Sequence, residues 1–461
     1  MLHSFAPDEP RAGRSQLEQT RSKPRRHRGR RTPNPAAPIL IQPRRSGEPR
    51  CGAPPQRQLR PDRVGAGEAD RQRSDISSTR CASRGVESSA ATHRPGEPMK
   101  ITDAKCHLVR LPADEPLAGG PAIAGAVREI VTLQLRTDAG IEGVGITFFG
   151  AAVSRALLAA VEDLAAIAKG ENPINIEAVM AKLRAAAGNS GPGGVLQLAL
   201  SAIDIALWDI KGKALDLPVW ALAGGYRPRV PTYASGALMR TFPLEHLLKA
   251  GPKLKEKGFR QMKTQLGGNA RPEQEVERIA RLREAIGHDT DLMCDINQLW
   301  SVHQAIDIGT RIEPVRLFWL EDVTAHDDYA GLARITDALS TPVAGGEYVY
   351  GAVPFRHMLE ARSVDIVMID LVRAGGVTGL LKIAGMAQAF NLPVVSHLVP
   401  EFQVHLIAAI PNGLTVEYMP WSAPLFEEVP TVDKASGDLI VPQKPGFGLK
   451  FDPKVLKKYA A

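Results

Sequence analysis

The strongest constraint on this chain is a rhythm that sets in after Pro228. Short apolar runs rich in β-branched residues recur eight times: "VPTYASG", "RQMKTQL", "DLMCDIN", "LFWLED", "TPVAGGE", "VDIVMIDL", "LPVVSHL" and "LTVEYMP". Between them, stretches such as "RPEQEVERIARLREAIG", "VHQAIDIGTRIE", "GLARITDALS", "PFRHMLEAR" and "GLLKIAGMAQAFN" carry apolar residues at helical spacing. Eight strands alternating with helices over roughly 190 residues predict an α/β parallel barrel. A doubly wound open sheet is the alternative, but no GxGxxG turn follows a first strand.

Residues 99–226 follow another pattern. "ITDAKCHLVRLP" and "REIVTLQLRTDAGIEGVGITFF" read as antiparallel strands with a turn at Asp138–Gly140. "AVSRALLAAVEDLAAIAKG" and "GVLQLALSAIDIALWDIKGKALDLPVWALAG" read as helices, the second broken near Leu217–Pro218. Strands followed by helices make this an α+β domain. The barrel is expected over 227–426, and residues 427–461, with their strand fragments, are expected to return to the first domain.

Composition matters chiefly for what it removes. The formal charge of +7 points at first to nucleic acid. Residues 1–98 hold 20 Lys+Arg and 10 Asp+Glu, which leaves 37 basic and 40 acidic residues for the rest. The body is therefore slightly acidic, and no nucleic-acid partner is expected for it. The first 98 residues are rich in Arg, Pro, Gly and Ser and read as a disordered extension, with Met99 opening the first regular strand. They lack the apolar core of a secretory signal. No apolar run reaches the length of about 18 residues that a membrane span needs. Of the four cysteines, Cys51, Cys81, Cys106 and Cys294, none forms a CxxC pair, which disfavours zinc and disulfide frameworks and fits a reducing cytoplasm.

The chemistry is written where the barrel strands end. "CDIN" supplies Asp295 and Asn297, "WLED" Glu321 and "AGGE" Glu347. The three carboxylates are spaced by 26 and again 26 residues, about one βα unit, which predicts the same height on successive strands. Converging carboxylates repel unless a cation holds them, and a hard divalent ion such as Mg²⁺ prefers oxygen ligands. Asp370 and His397 are 27 residues apart, so adjacent strands bring a carboxylate beside an imidazole and prepare a general base. Glu417 ends the eighth run; protonated in an apolar setting, it would donate a hydrogen bond to a developing oxyanion. His303, His357 and His405 fall on helical or loop stretches and read as ordinary packing residues.

On the second run, Lys263 and Gln265 share a face, because a strand alternates with period two. Lysine is seldom fully buried unless it is paired or working. Taken alone, Lys263 fits either a catalytic group or an ordinary strand-edge lysine.

Together these residues resemble the enolase superfamily, and within it the mandelate racemase subgroup, over about residues 99–455. The resemblance implies a modified TIM barrel, (β/α)₇β, with an N-terminal α+β capping domain completed by the C-terminal segment. It implies Mg²⁺ held by Asp295, Glu321 and Glu347, a His397–Asp370 dyad, and Glu417 on the eighth strand. The subgroup commonly carries Lys-x-Lys on the second strand, its second lysine acting as a base opposite the histidine. Here the stretch is Lys263-Thr264-Gln265, and an amide cannot be a general base near neutral pH. Lys263 then reads as a group that holds the substrate carboxylate or stabilises an enediolate, with a swing into the role of second base as the alternative, and Gln265 and Asn297 read as substrate-binding groups. The implied reaction is removal of a proton α to a carboxylate, with dehydration of a sugar acid to a 2-keto-3-deoxy acid ahead of cycloisomerisation or racemisation. A catalytically silent sugar-acid-binding barrel is the alternative outside enzymes. A homo-oligomer acting on a small carboxylate in the cytoplasm completes the expectation. The stretches 113–127 and 145–152 are expected to set substrate choice, and Phe148 and Phe149 fit equally a pocket wall or the core.

Overall fold

The computed structural model describes residues 98–121 and 125–461, so the extension expected over 1–98 lies outside them apart from Pro98. Strands β1 (Ile101–Pro112), β2 (Val127–Thr137) and β3 (Glu142–Thr147) form an antiparallel sheet in chain order. The turn after β2 has Gly140 at φ +75°, a conformation that favours glycine, and Thr137 N–H donates to Ile141 O at 3.0 Å. Helices α1 (Ser154–Ala168) and α3 (Gly194–Ala214) pack on this sheet, and α2 (Ile176–Ala186) packs on both. α3 is apolar on nearly every face, as a helix buried on several sides must be.

The second sheet is the expected barrel. Its strands are β4 (Arg229–Leu238), β5 (Gln261–Gln265), β6 (Asp291–Asp295), β7 (Trp319–Glu321), β8 (Val343–Gly345), β9 (Ile366–Asp370), β10 (Val394–His397) and β11 (Val416–Tyr418). They pair in parallel in the order β10-β9-β8-β7-β6-β5-β4-β11. Val394 brings the two ends together: its N–H donates to Asn412 O and its carbonyl accepts from Leu414 N–H, both at 2.8 Å. Seven helical connections separate the eight strands, and all eight predicted runs are strands. After β11 the chain instead forms β12 (Asp438–Ile440), antiparallel to β4, and the helix Pro453–Tyr459 against β1. Ala461 N–H reaches Leu108 O at 2.9 Å. The chain end thus fastens the barrel's first strand and the cap sheet in turn.

Tyr233, Met293, Trp319, Met368 and Val395 fill the barrel interior, with the Tyr233 and Trp319 rings edge to face at 5.4 Å. This plug makes the barrel a packed core, so chemistry is confined to its C-terminal mouth. The cap docks there through α3. Gln197 Nε2 donates to Ala374 O at 3.1 Å, Asp204 Oδ1 accepts from Thr378 N–H at 3.0 Å, and Trp208 Nε1 donates to Thr378 Oγ1 at 2.9 Å. Gly375 and Gly376, at φ +93° and +87°, make this approach possible. A Cβ on them would lie 2.1 Å from Gln197 Nε2 and 2.4 Å from Asp204 Oδ1. Among the described residues no helix is long and apolar enough to cross a membrane.

Candidate active site

The barrel mouth collects every residue singled out above. Asp295, Glu321, Asp370 and His397 are the last residues of β6, β7, β9 and β10, while Lys263 and Glu417 lie within β5 and β11. All six are buried. The register expectation holds for Asp295, which pairs with Glu321, and for Asp370, which pairs with His397. It fails for Glu347. Glu321 pairs with Ala344, so Glu347 lies beyond the level of the strands, after a turn at Gly346 with φ +126°.

The tightest acidic cluster is also not the expected one. Carboxylate oxygens of Glu321, Asp322 and Glu347 lie within 4.8 Å of one another, and Asp295 stands outside that group. Asp322 was not legible, because consecutive strand residues face opposite ways. Its φ of +43° breaks that alternation. Burial pushes the Glu321 carboxyl up to about 7 despite Lys263, with Asp295 and Glu417 adding repulsion. Burial and neighbouring acids likewise hold Asp322 and Glu347 well above the usual carboxylate range. One buried oxygen of Asp322 has no partner among the described residues. Acids so crowded are stabilised in their ionised form by a cation, and an all-oxygen donor set suits Mg²⁺.

Asp295 is engaged differently. Its Oδ1 accepts from Asn297 N–H at 2.7 Å, and its Oδ2 from Asn297 Nδ2 at 2.7 Å and Gln265 Nε2 at 3.4 Å. Gln265 and Asn297, expected to bind substrate, therefore spend these donors on Asp295.

Lys263 is 4% exposed and sits between two carboxylates: Glu321 Oε1 at 2.5 Å and Glu417 Oε1 at 2.8 Å. Burial disfavours its charge, but Glu321 and Glu417 outweigh that and hold the ammonium well above its ordinary value. The strand-edge reading of Lys263 is thereby excluded. Glu417 corrects the expectation of a protonated acid. Burial raises it, yet Lys263 and His397 more than compensate, and Leu398 N–H donates to Oε2 at 2.6 Å. It is held ionised, as an acceptor.

On the opposite flank, His397 Nδ1 lies 2.7 Å from Asp370 Oδ2 and Nε2 lies 3.2 Å from Glu347 Oε2. Burial works against the imidazolium, but Glu347 and the Asp370 hydrogen bond win, and its proton affinity rises. Asp370 Oδ1 is fixed by Arg373 N–H at 2.7 Å. The cap contributes Phe149, whose ring lies parallel to His397 with centroids 6.2 Å apart. The Arg373 guanidinium covers the Phe149 ring at 3.8 Å. Phe149 thus faces the pocket. Arg373 carries no sequence signal of this role, since it acts through a fold contact with a residue over 200 positions away.

The comparisons with known proteins concern the chain as a whole. Residues 123–224 match the mandelate racemase/muconate lactonizing enzyme N-terminal domain, and residues 248–455 the enolase C-terminal domain-like family. The chain is 31% identical to an L-talarate/galactarate dehydratase of Salmonella typhimurium, covering 76% of this chain and 88% of that one. It is 31% identical to a 3,6-anhydro-alpha-L-galactonate cycloisomerase of Streptomyces coelicolor, over 78% of this chain and 99% of the relative. Among solved structures it resembles the L-talarate dehydratase from Polaromonas sp. JS666 complexed with Mg and L-glucarate. That match has a TM-score of 0.72 at 29% identity and covers 78% of this chain and 97% of the other. With both domains matched and the acidic mouth in place, this chain belongs to the mandelate racemase/muconate lactonizing enzyme family of the enolase superfamily.

Proposed function

We propose that the chain removes the proton α to the carboxylate of a sugar acid and expels the β-hydroxyl, giving a 2-keto-3-deoxy acid. The observation that carries this reading is the engagement of Lys263 by two carboxylates beside Gln265, which leaves His397, among the described residues of the mouth, as the group suited to take a proton. Asp295, Glu321 and Glu347 would hold Mg²⁺, with Asp322 beside them. When bound, the ion supplies positive charge to the substrate carboxylate and so acidifies the α-carbon.

The side chains do the rest. His397 Nε2 takes the α-proton once Glu347 gives up its contact with that nitrogen. The electron pair of the C–H bond moves into the carboxylate, and the resulting enediolate faces the Lys263 ammonium, a fixed charge already in place. Asp370 holds the imidazolium through Nδ1–H. That imidazolium then returns its proton to the β-hydroxyl, which leaves as water when the electron pair collapses to the enol. Ketonisation yields the product.

Screening mono- and diacid sugars for 2-keto acid formation tests the reaction, and turnover in D₂O tests the single base. The α-position should exchange without inversion at that carbon. Recovered substrate inverted at that carbon would overturn the one-base scheme, and no 2-keto acid from any sugar acid would overturn dehydration. Cycloisomerisation is the second reading, supported by 31% identity along 99% of a cycloisomerase. It would show as lactone or anhydro-acid conversion in the same screen. The reading includes a cytoplasmic homo-oligomer: the free thiols Cys106 and Cys294 suit a reducing compartment, and light scattering measures the assembly.

A further inference from the structure

Arg240 is a cation of this mouth that the proposed chemistry does not use. It stands just past the end of β4, and its Nη2 donates to Asn297 Oδ1 at 2.6 Å and to Asp295 O at 3.1 Å. Its Nε and Nη1 are buried and have no partner among the described residues. A guanidinium so placed is costly unless it does something in return.

Its target explains what that is. Gln265 Nε2 reaches the same Asn297 oxygen at 3.1 Å, so two donors converge on Oδ1. The two ends of a side-chain amide are nearly the same size, and only the hydrogen-bond partners decide which way it points. With Oδ1 claimed by Arg240 and Gln265, Asn297 can turn only its NH₂ group to Asp295. That NH₂, the Asn297 backbone N–H and Gln265 Nε2 then fix the carboxylate from three sides. The turn that brings Asn297 here is itself unusual, with φ of +47° at Asn297 and +65° at Gln298.

We propose that Arg240 is a positioning residue for the carboxylate of Asp295, acting by fixing the orientation of the Asn297 amide. The inference rests on the reading of Asp295, Glu321 and Glu347 as Mg²⁺ ligands. It makes a prediction of sign. A guanidinium acting merely as a nearby positive charge weakens the binding of a dication, so its removal tightens Mg²⁺. A guanidinium that orients a ligand does the reverse, and its removal loosens Mg²⁺.

Titration calorimetry with Mg²⁺ alone, on the full chain, decides between these. Arg240→Gln should raise the Kd about 10-fold or more, the range typical of groups that orient metal ligands. Its kcat at saturating Mg²⁺ should stay near that of the unaltered protein, a split that general structural damage would not give. Because Arg240 acts through Asn297, adding Arg240→Gln to Asn297→Ala should loosen Mg²⁺ no further. An unchanged or tighter Kd in Arg240→Gln, or full additivity with Asn297→Ala, overturns the proposal. Should Arg240→Gln fail to fold, Arg240→Lys decides. It keeps the charge but replaces the rigid planar guanidinium with a compact ammonium on a shorter, flexible stem, so a weaker Kd supports positioning and an unchanged or tighter one overturns it. Glu347→Gln separates the two levels: if it binds Mg²⁺ like the unaltered protein, the ligand reading fails, whatever Arg240 does.

Discussion

On one flank of the mouth Lys263 lies between Glu321 and Glu417; on the other His397 lies between Glu347 and Asp370. Both groups are buried, both are bracketed by carboxylates, and both gain proton affinity from them. The consequences are opposite because the starting points differ. The Lys263 ammonium starts from 10.5 and is pushed further up, whereas the His397 imidazole starts from 6.5, the ordinary side-chain value nearest neutral pH. In the proposed reaction the same electrostatic surroundings thus serve a fixed charge on one side and a base on the other.

The comparison can be broken most directly at His397. His397→Asn removes the base, and kcat should fall by about 10⁴, the upper range for acid–base catalysis, with loss of α-proton exchange in D₂O. Lys263→Met removes fixed charge and not the base, so kcat should fall by about 10³ while slow exchange continues. Exchange that survives His397→Asn but vanishes in Lys263→Met would reverse the two assignments. Asp370→Asn should be milder, about 10²-fold in kcat, because the base itself remains, although one amide oxygen must now serve both Nδ1–H and Arg373 N–H. Since Asp370 raises the affinity of His397 for its proton, the acid limb of the pH–rate profile should also move to lower pH.

The smallest effect comes from a buried acid with no cation beside it among the described residues. Glu401, on the helix Pro400–Ala409 after the His397 strand, is raised to about 7 by burial, against hydrogen bonds that include Ser422. Below its ordinary value of 4.5 it is protonated in both folded and unfolded chains and contributes nothing to the pH dependence. As pH rises toward 7 the unfolded chain ionises first, so stability falls, by roughly 3 kcal/mol at most. Glu401→Gln should abolish that loss, with no effect expected on the order of the two flanks. Denaturant midpoints at pH 5 and pH 8 for both proteins measure it. Equal slopes would show that burial alone does not hold this carboxyl neutral.

What the sequence disclosed follows from where its signals are local. The eight strands were legible because each is a short β-branched run and the helices between them are amphipathic. The helix Leu244–Glu256 was hidden by an internal Gly251–Pro252, which reads as a breaker. Pro400–Ala409 was hidden because all ten residues are buried and no polar face marks its period. The same divide runs through the site. Lys263, Asp370, His397 and Glu417 sit on strands whose alternation predicts an inward side chain. Asp322 depends on one left-handed backbone angle, Arg240 on a contact 57 residues along the chain, and Phe149 on how a loop of the cap meets the barrel.

The seam at Gly375 and Gly376 bears on how such enzymes could diversify. The glycine turn follows Asp370 and Arg373 by a few residues, and Gln197 and Asp204 of α3 press directly onto it. A cap is therefore not a freely portable module. Its loops are where substrate choice is expected to lie, but a transplanted cap lacking the amide of Gln197 or the carboxylate of Asp204 would leave Ala374 O and Thr378 N–H unmatched. The turn carrying the dyad's support would loosen with them. Successful chimeras should inherit α3 from the same parent as the barrel, with the exchanged material confined to residues 113–127 and 145–152.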